Sequence, residues 1–126
     1  MKRATSTLII PTIVIAETAG CGQVRGDHLT RQIRHKRVKA VTDWIECGNF
    51  IPVEITLSVA LRAASLAIDY QLTGADAAIL AAAELHGCAW LFTWDGPLLK
   101  VDGDLGDLQV TQPQREYPAQ PEIPFE

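Results

Sequence analysis

The 126-residue chain is 48% apolar and 21% charged, the composition of a folded globular protein of one domain with room for a real core. Its formal charge of −4 argues against binding nucleic acid through bulk positive charge, and no apolar run approaches the roughly 20 residues that a bilayer span requires. Three widely spaced cysteines, Cys21, Cys47 and Cys88, form no CxxC pair, and Met1-Lys2-Arg3 leads into a mixed run with no signal-peptide pattern, so reduced thiols in a cytoplasmic protein are expected.

Thr7 to Ile10 is β-branched and apolar and ends at Pro11, which predicts a first strand from about Ser6 to Ile10. Thr12 is the expected N-cap of a helix from about Ile13, through Val14, Ile15 and Ala16, to Glu17. A lone acid in so apolar a stretch is costly to bury unless it is paired, hydrogen-bonded or bound to a cation. From this helix alone, the simpler reading is that Glu17 lies on the exposed stripe. Gly20, Gly22 and Gly26 then predict a loop.

Leu29 to Cys47 reads as a long helix, with Ile33, Val38, Val41, Trp44 and Ile45 broadly on one stripe. Six of the chain's 11 Lys and Arg residues, Arg25, Arg31, Arg34, Lys36, Arg37 and Lys39, fall in or just before it, with His28 and His35. Asp102, Asp104 and Asp107 crowd the other half. Such a separation gives either a local phosphate-attracting face on an acidic protein or a plainly solvated helix face.

Gly48 and Asn49 end that helix, and Phe50 to Val53 reads as a second strand. Thr56 or Ser58 starts a helix to about Tyr70, with Leu57, Leu61, Ala64, Leu66 and Ile68 expected on its buried side. Thr73 is the expected cap of the next helix, and Asp76 lies in its first turn, where the helix dipole favours a carboxylate. Ala77 to Leu85 is slim and suited to close burial, and Gly87 is the expected stop. Cys88 to Phe92 has no polar face, which predicts a parallel strand covered on both sides. Thr93, Trp94 and Asp95 follow at the strand's carboxyl end, before a Gly96-Pro97 turn. Leu108 to Thr111 is a last short strand. The tail from Gln112 contains four prolines and is expected to lack regular structure, lying loose or against the domain or a neighbour through Tyr117, Ile123 and Phe125.

Short apolar strands alternating with helices predict a three-layer α/β/α domain over residues 1–112, with a parallel sheet and a Pro-rich tail at 113–126. In open parallel sheets, ligands bind at the carboxyl ends of strands. Glu17, Asp76 and Asp95 all fall at such places and are candidates to converge on one edge. Carboxylates brought together repel, and protonation or a divalent cation relieves them; hard oxygen donors of this kind select Mg²⁺ or Mn²⁺.

TLIIPTIVIAE resembles the second strand and following helix of PIN-domain nucleases, in which an IP-x-x-x-x-x-E pattern carries a metal-binding Glu. TGADAAILAAAELHGCAWLFTWD is similar to that family's D-A-x-I-A-A-x-A segment and its L-x-T-x-D strand end. The resemblance covers about residues 6 to 112 and places the family's acids on Glu17, Asp76 and Asp95. It places Thr93 where a residue often orients the last acid or a metal-bound water. It implies a Mg²⁺- or Mn²⁺-dependent ribonuclease, most often the toxin of a bacterial toxin–antitoxin pair. Such a toxin acts as a homodimer and is inhibited by a cognate antitoxin. Arg31, Arg34, Lys36, Arg37 and Lys39 would then bind the phosphates of RNA.

The family's first strand, ending in Asp-Thr or Asp-Ser and carrying the first metal ligand, has no counterpart before Thr7. Two expectations follow. Met1 is internal to a longer protein, with roughly 25–35 residues upstream, or the chain is a shortened relative. Both leave three of the four usual acids and weakened or absent activity. A degenerate module that docks RNA or a protein without chemistry is therefore the alternative to an active nuclease.

Overall fold

The computed structural model describes residues 7–113, apart from the side chains of Gln23 and Arg25. The chain runs β1 (Leu8–Pro11), α1 (Thr12–Ala19), α2 (Gly22–Arg25), α3 (Arg31–Cys47), β2 (Phe50–Val53), α4 (Leu57–Tyr70), α5 (Gly74–Leu85), β3 (Trp90–Phe92), α6 (Gly96–Leu99) and β4 (Gln109–Thr111). It divides into two compact units, one up to Glu54 and one from Ile55 onward. Ser6 and the tail beyond Pro113, with Tyr117, Ile123 and Phe125, lie outside the described residues.

In the first unit β1 and β2 pair in parallel, Leu8 opposite Phe50 and Pro11 opposite Val53. Parallel partners need a crossover, and α1, α2 and α3 supply it. Its core is Ala19, Val41 and Ile45, with Ile10, Ile15, Val24, Val38 and Trp44 packed around them. The stripe expected on α3 is packed from Val38 through Val41 and Trp44 to Ile45, whereas Ile33, expected with them, is 44% exposed near the helix start. Two local expectations shift. α1 begins at Thr12 itself, with Pro11 at the N-cap and no side-chain cap bond. The glycine-rich segment is not wholly a loop, since α2 forms there and ends at Gly26 with φ 62°.

In the second unit α4 and α5 pack as a helical hairpin. Thr56 and Thr73 cap them, each accepting from the backbone N–H three residues on. Ala77, Leu80, Ala81 and Ala82 are fully buried, so the slim helix is used as its composition suggests. Gly87, at φ 65°, ends α5 as expected: Gly87 N–H donates to the Glu84 carbonyl and Cys88 N–H to the Ala83 carbonyl. β3 and β4 then pair in parallel, Leu91 opposite Val110, around buried Leu98, Val101, Leu108 and Val110.

The strands are parallel and alternate with helices, but they pair as two separate two-stranded sheets, β1-β2 and β3-β4. Two expectations of burial are corrected. Leu57, Leu61 and Ile68 are 75%, 63% and 79% exposed, and Ala64 is exposed with them. The side of α4 that meets the core carries Val59, Ala63 and Leu66. At 3.6 residues per turn each set spans about 60° and the two lie opposite one another, so α4 has two apolar stripes and only one is covered. The run Cys88 to Phe92 is also not covered on both sides. The strand proper starts at Trp90, which is 48% exposed, and Ala89 is exposed before it. A two-stranded pair has too little sheet to enclose a strand from both faces.

Candidate active site

Asp95 stands where the second unit's chain leaves β3. Thr93 N–H donates to the Thr111 carbonyl at 3.0 Å, carrying the β3-β4 ladder one residue past the strand. The Thr93 hydroxyl accepts from Asp95 N–H at 3.1 Å, closing a turn of the kind Ser and Thr favour. Asp95 Oδ2 accepts from Leu98 N–H at 3.1 Å and so caps α6, with Pro97 in the first turn. Leu98 is buried and anchors that short helix. Thr93 and Asp95 are therefore brought together and held by three hydrogen bonds. The turn read at Gly96-Pro97 is the start of a helix, and Asp followed closely by Pro is the signal that could have found it.

Asp76 is half-buried in the first turn of α5, one turn after Thr73, whose hydroxyl accepts from Asp76 N–H at 3.3 Å. Asp76 and Asp95 belong to the second unit, while Glu17 lies exposed on α1 in the first. Among the described residues no three His, Cys, Asp or Glu side chains are gathered as a metal cluster. As donors, the three candidate acids suit a hard divalent ion: each carboxylate has two oxygens, and the cap bond on Asp95 occupies only one of them.

The five bases proposed for RNA are not equivalent. Arg34 forms an ion pair with Asp27 at 3.0 Å, and Arg37 Nε donates to the Val24 carbonyl at 2.7 Å, tying α3 to α2. Lys39 pairs with Asp43 one turn on at 2.7 Å, and this carboxylate raises the Lys39 ammonium above its ordinary range. Arg31 donates to the exposed His35 ring at 3.4 Å, and Lys36 is exposed. At 3.6 residues per turn Arg31, His35 and Lys39 share one face, while Arg34 and Arg37 lean toward the side of Val38 and Val41. Of the acids crowded in the other half of the chain, Asp102 has a structural role: its Oδ1 accepts from Val110 N–H at 2.8 Å and holds β4.

Comparison with known proteins bears on the same segments. Neither a search of curated proteins nor one of solved structures returned a significant match. The profile of the PIN domain matches residues 1–104, most of the chain and both segments that carry Glu17, Asp76 and Asp95. The chain belongs to the PIN-domain family, whose members are in general nucleases that use divalent metal ions.

Proposed function

We propose that this protein is a metal-dependent endoribonuclease that hydrolyses RNA phosphodiester bonds, and that it serves as the toxin of a bacterial toxin–antitoxin pair. The observation that supports this reading best is the Thr93–Asp95 turn: a carboxylate fixed by its own backbone at the carboxyl end of a parallel strand, in a PIN domain. Glu17, Asp76 and Asp95 would hold the ion, Mg²⁺ or Mn²⁺. When bound, it lowers the pKa of water and stabilises the leaving oxygen of the phosphodiester.

The remaining roles belong to the chain's own side chains. Asp95 keeps one carboxylate oxygen outside the cap bond, available to a ligand or a proton. Thr93 accepts from Asp95 N–H and retains its own hydroxyl proton, with which it can orient an acid or a water. Arg31, Lys36 and Lys39 meet phosphates on the exposed part of α3, with affinity that falls as salt rises. Arg34 and Arg37 contribute mainly by holding α3 to Asp27 and Val24. The family likeness extends the proposal to partners, a second copy and a cognate antitoxin, and the bare apolar stripe of α4 is a surface suited to the second copy. Among the described residues no helix is long and apolar enough to cross a membrane.

The test uses the full chain, labelled single-stranded RNA and added Mg²⁺ or Mn²⁺, beside Asp76→Asn and Asp95→Asn. Asparagine caps a helix about as well as aspartate, so Asp95→Asn removes the charge while leaving α6 capped. Cleavage that requires the ion and disappears in both variants supports the reading. Equal cleavage by both variants points to a contaminating nuclease and refutes it. RNA bound but not cut by the unaltered chain would favour the non-catalytic module.

A further inference from the structure

Trp94 lies between the two fixed residues of the candidate site and is 69% exposed. On one side Thr93 is held to Thr111, and on the other Asp95 is held to Leu98. The backbone that carries the indole therefore does not depend on the indole. Large aromatic rings are usually well covered, and a tryptophan left in water forgoes the largest apolar burial of any side chain. The neighbouring exposed indole, Trp90, has work within the fold: its Nε1 donates to Gln109 Oε1 at 3.1 Å, and its ring lies 6.4 Å from Phe92 at 22°. Among the described residues no hydrogen bond or ring contact engages Trp94 in that way.

We infer that Trp94 is a stacking platform for one unpaired nucleobase of the RNA, next to the phosphodiester that Asp95 addresses. This inference rests on the ribonuclease reading. Adjacent Cα atoms are about 3.8 Å apart across a trans peptide, so a ring at position 94 and a carboxylate at position 95 lie within the span of adjoining nucleotides of one strand. Every base has a π face, so stacking gives grip without a sequence requirement, and it demands a single-stranded target because paired bases are already stacked. It also suits an acidic chain: an aromatic contact adds affinity that does not depend on positive charge. Trp94 acts here as a positioning residue, setting which phosphate reaches Asp95.

The experiment measures dissociation constants of the full chain in excess chelator, so that no strand is cut. Fluorescence anisotropy compares a single-stranded oligoribonucleotide with an abasic strand of equal length and charge. Trp94→Ala should weaken binding of the base-bearing strand about 5- to 150-fold, the range for loss of one stacked base, and leave the abasic strand unchanged. Trp94→Phe should keep most of the affinity. Equal affinity of Trp94→Ala and the unaltered chain for the base-bearing strand overturns stacking, and leaves the exposed ring as a protein contact. Equal weakening toward both strands overturns it as well, because only the bases distinguish them. If the unaltered chain binds neither strand and cuts no RNA with Mg²⁺ or Mn²⁺, the ribonuclease reading fails first and stacking falls with it. Ion-dependent cleavage that persists while Trp94→Ala binds normally removes the stacking inference alone.

Discussion

The α4–α5 hairpin carries one ion pair whose worth can be worked from its geometry. Arg62 Nε donates to Glu84 Oε1 at 2.6 Å and Nη2 donates to Oε2 at 2.9 Å, a two-pronged contact across 22 residues of chain. The side chains are 38% and 26% exposed, so the pair is neither fully solvated nor buried. Fully exposed pairs contribute about 0.2–1 kcal/mol, and charged hydrogen bonds away from water about 1.5–3. With the exposed guanidinium discounted for screening, a coupling of about 1 kcal/mol is expected, or roughly 3–5 °C in Tm for a chain of this size. Arg62→Met, Glu84→Gln and the double variant, melted at pH 7, give that coupling free of each residue's other contacts. The Arg62 hydrogen bond holds the Glu84 carboxyl below the usual carboxylate range, and burial only partly opposes it. A carboxyl with a depressed folded pKa stabilises above its unfolded value, about 4.3, and loses that contribution as pH falls through the folded one. The coupling should therefore be complete at pH 7 and fade below about pH 4. A coupling under about 0.3 kcal/mol at pH 7, or one that is as large at pH 3, refutes this account of the pair.

Gln71 ends α4 at φ 53°, a left-handed conformation that glycine adopts without penalty, so Gln71→Gly should raise stability by about 0.5–1 kcal/mol in denaturant titrations; a loss would mean that the side chain supplies a contact worth more than the strain. Burial pushes the Cys88 thiol up, whereas Cys21 and Cys47 are exposed, so a thiol reagent at pH 8 should label those two roughly tenfold faster, read by mass spectrometry over time; equal rates would show that the segment at Cys88 opens readily. If two copies meet through α4, Leu61→Lys with Ile68→Lys should yield a monomer in sedimentation that still unfolds cooperatively, with a Tm that no longer depends on protein concentration, because both side chains already face water in one copy. A dimer that survives both changes excludes this face.

Most element boundaries were readable because they are written in local chemistry. Thr56, Thr73 and Gly87 each do at a helix end what their side chains, or the lack of one, allow. Periodicity served most of α3, where Val38, Val41, Trp44 and Ile45 pack together, and missed only at Ile33, in the first turn of the helix and exposed. It failed on α4 for a definite reason. Leu57, Leu61, Ala64 and Ile68 make the more strongly apolar stripe, but the side of α4 that is buried carries the smaller Val59 and Ala63 with Leu66, and the helix packed beside it, α5, buries mainly alanines. Close helix approach selects for fit rather than for hydrophobic area. The run before β3 misled for a related reason: an apolar segment predicts burial only if enough neighbours exist to cover it, and a partner strand of three residues covers little.

The candidate site shows why single residues mark chemistry poorly and turns mark it better. An Asp just before a Gly-Pro helix start has an ordinary structural use, and Asp95 does perform it by capping α6. Asp76 likewise occupies a helix first turn, where a carboxylate is favoured without any ligand. What the capping role leaves unexplained is the arrangement around Asp95. A cap for a four-residue helix does not require Thr93 to fix the Asp95 backbone, nor an exposed indole between them. Substitution separates the two uses, because they depend on different properties of one side chain. Asp95→Asn preserves the acceptor and should leave stability within a few tenths of a kcal/mol, whereas Asp95→Ala loses the cap and about 1 kcal/mol. A carboxylate retained only as a cap makes Asn equivalent to Asp in every assay. One retained for its charge makes Asn as inactive as Ala while remaining as stable as Asp, and that split in stability and activity is what a catalytic reading of this turn requires.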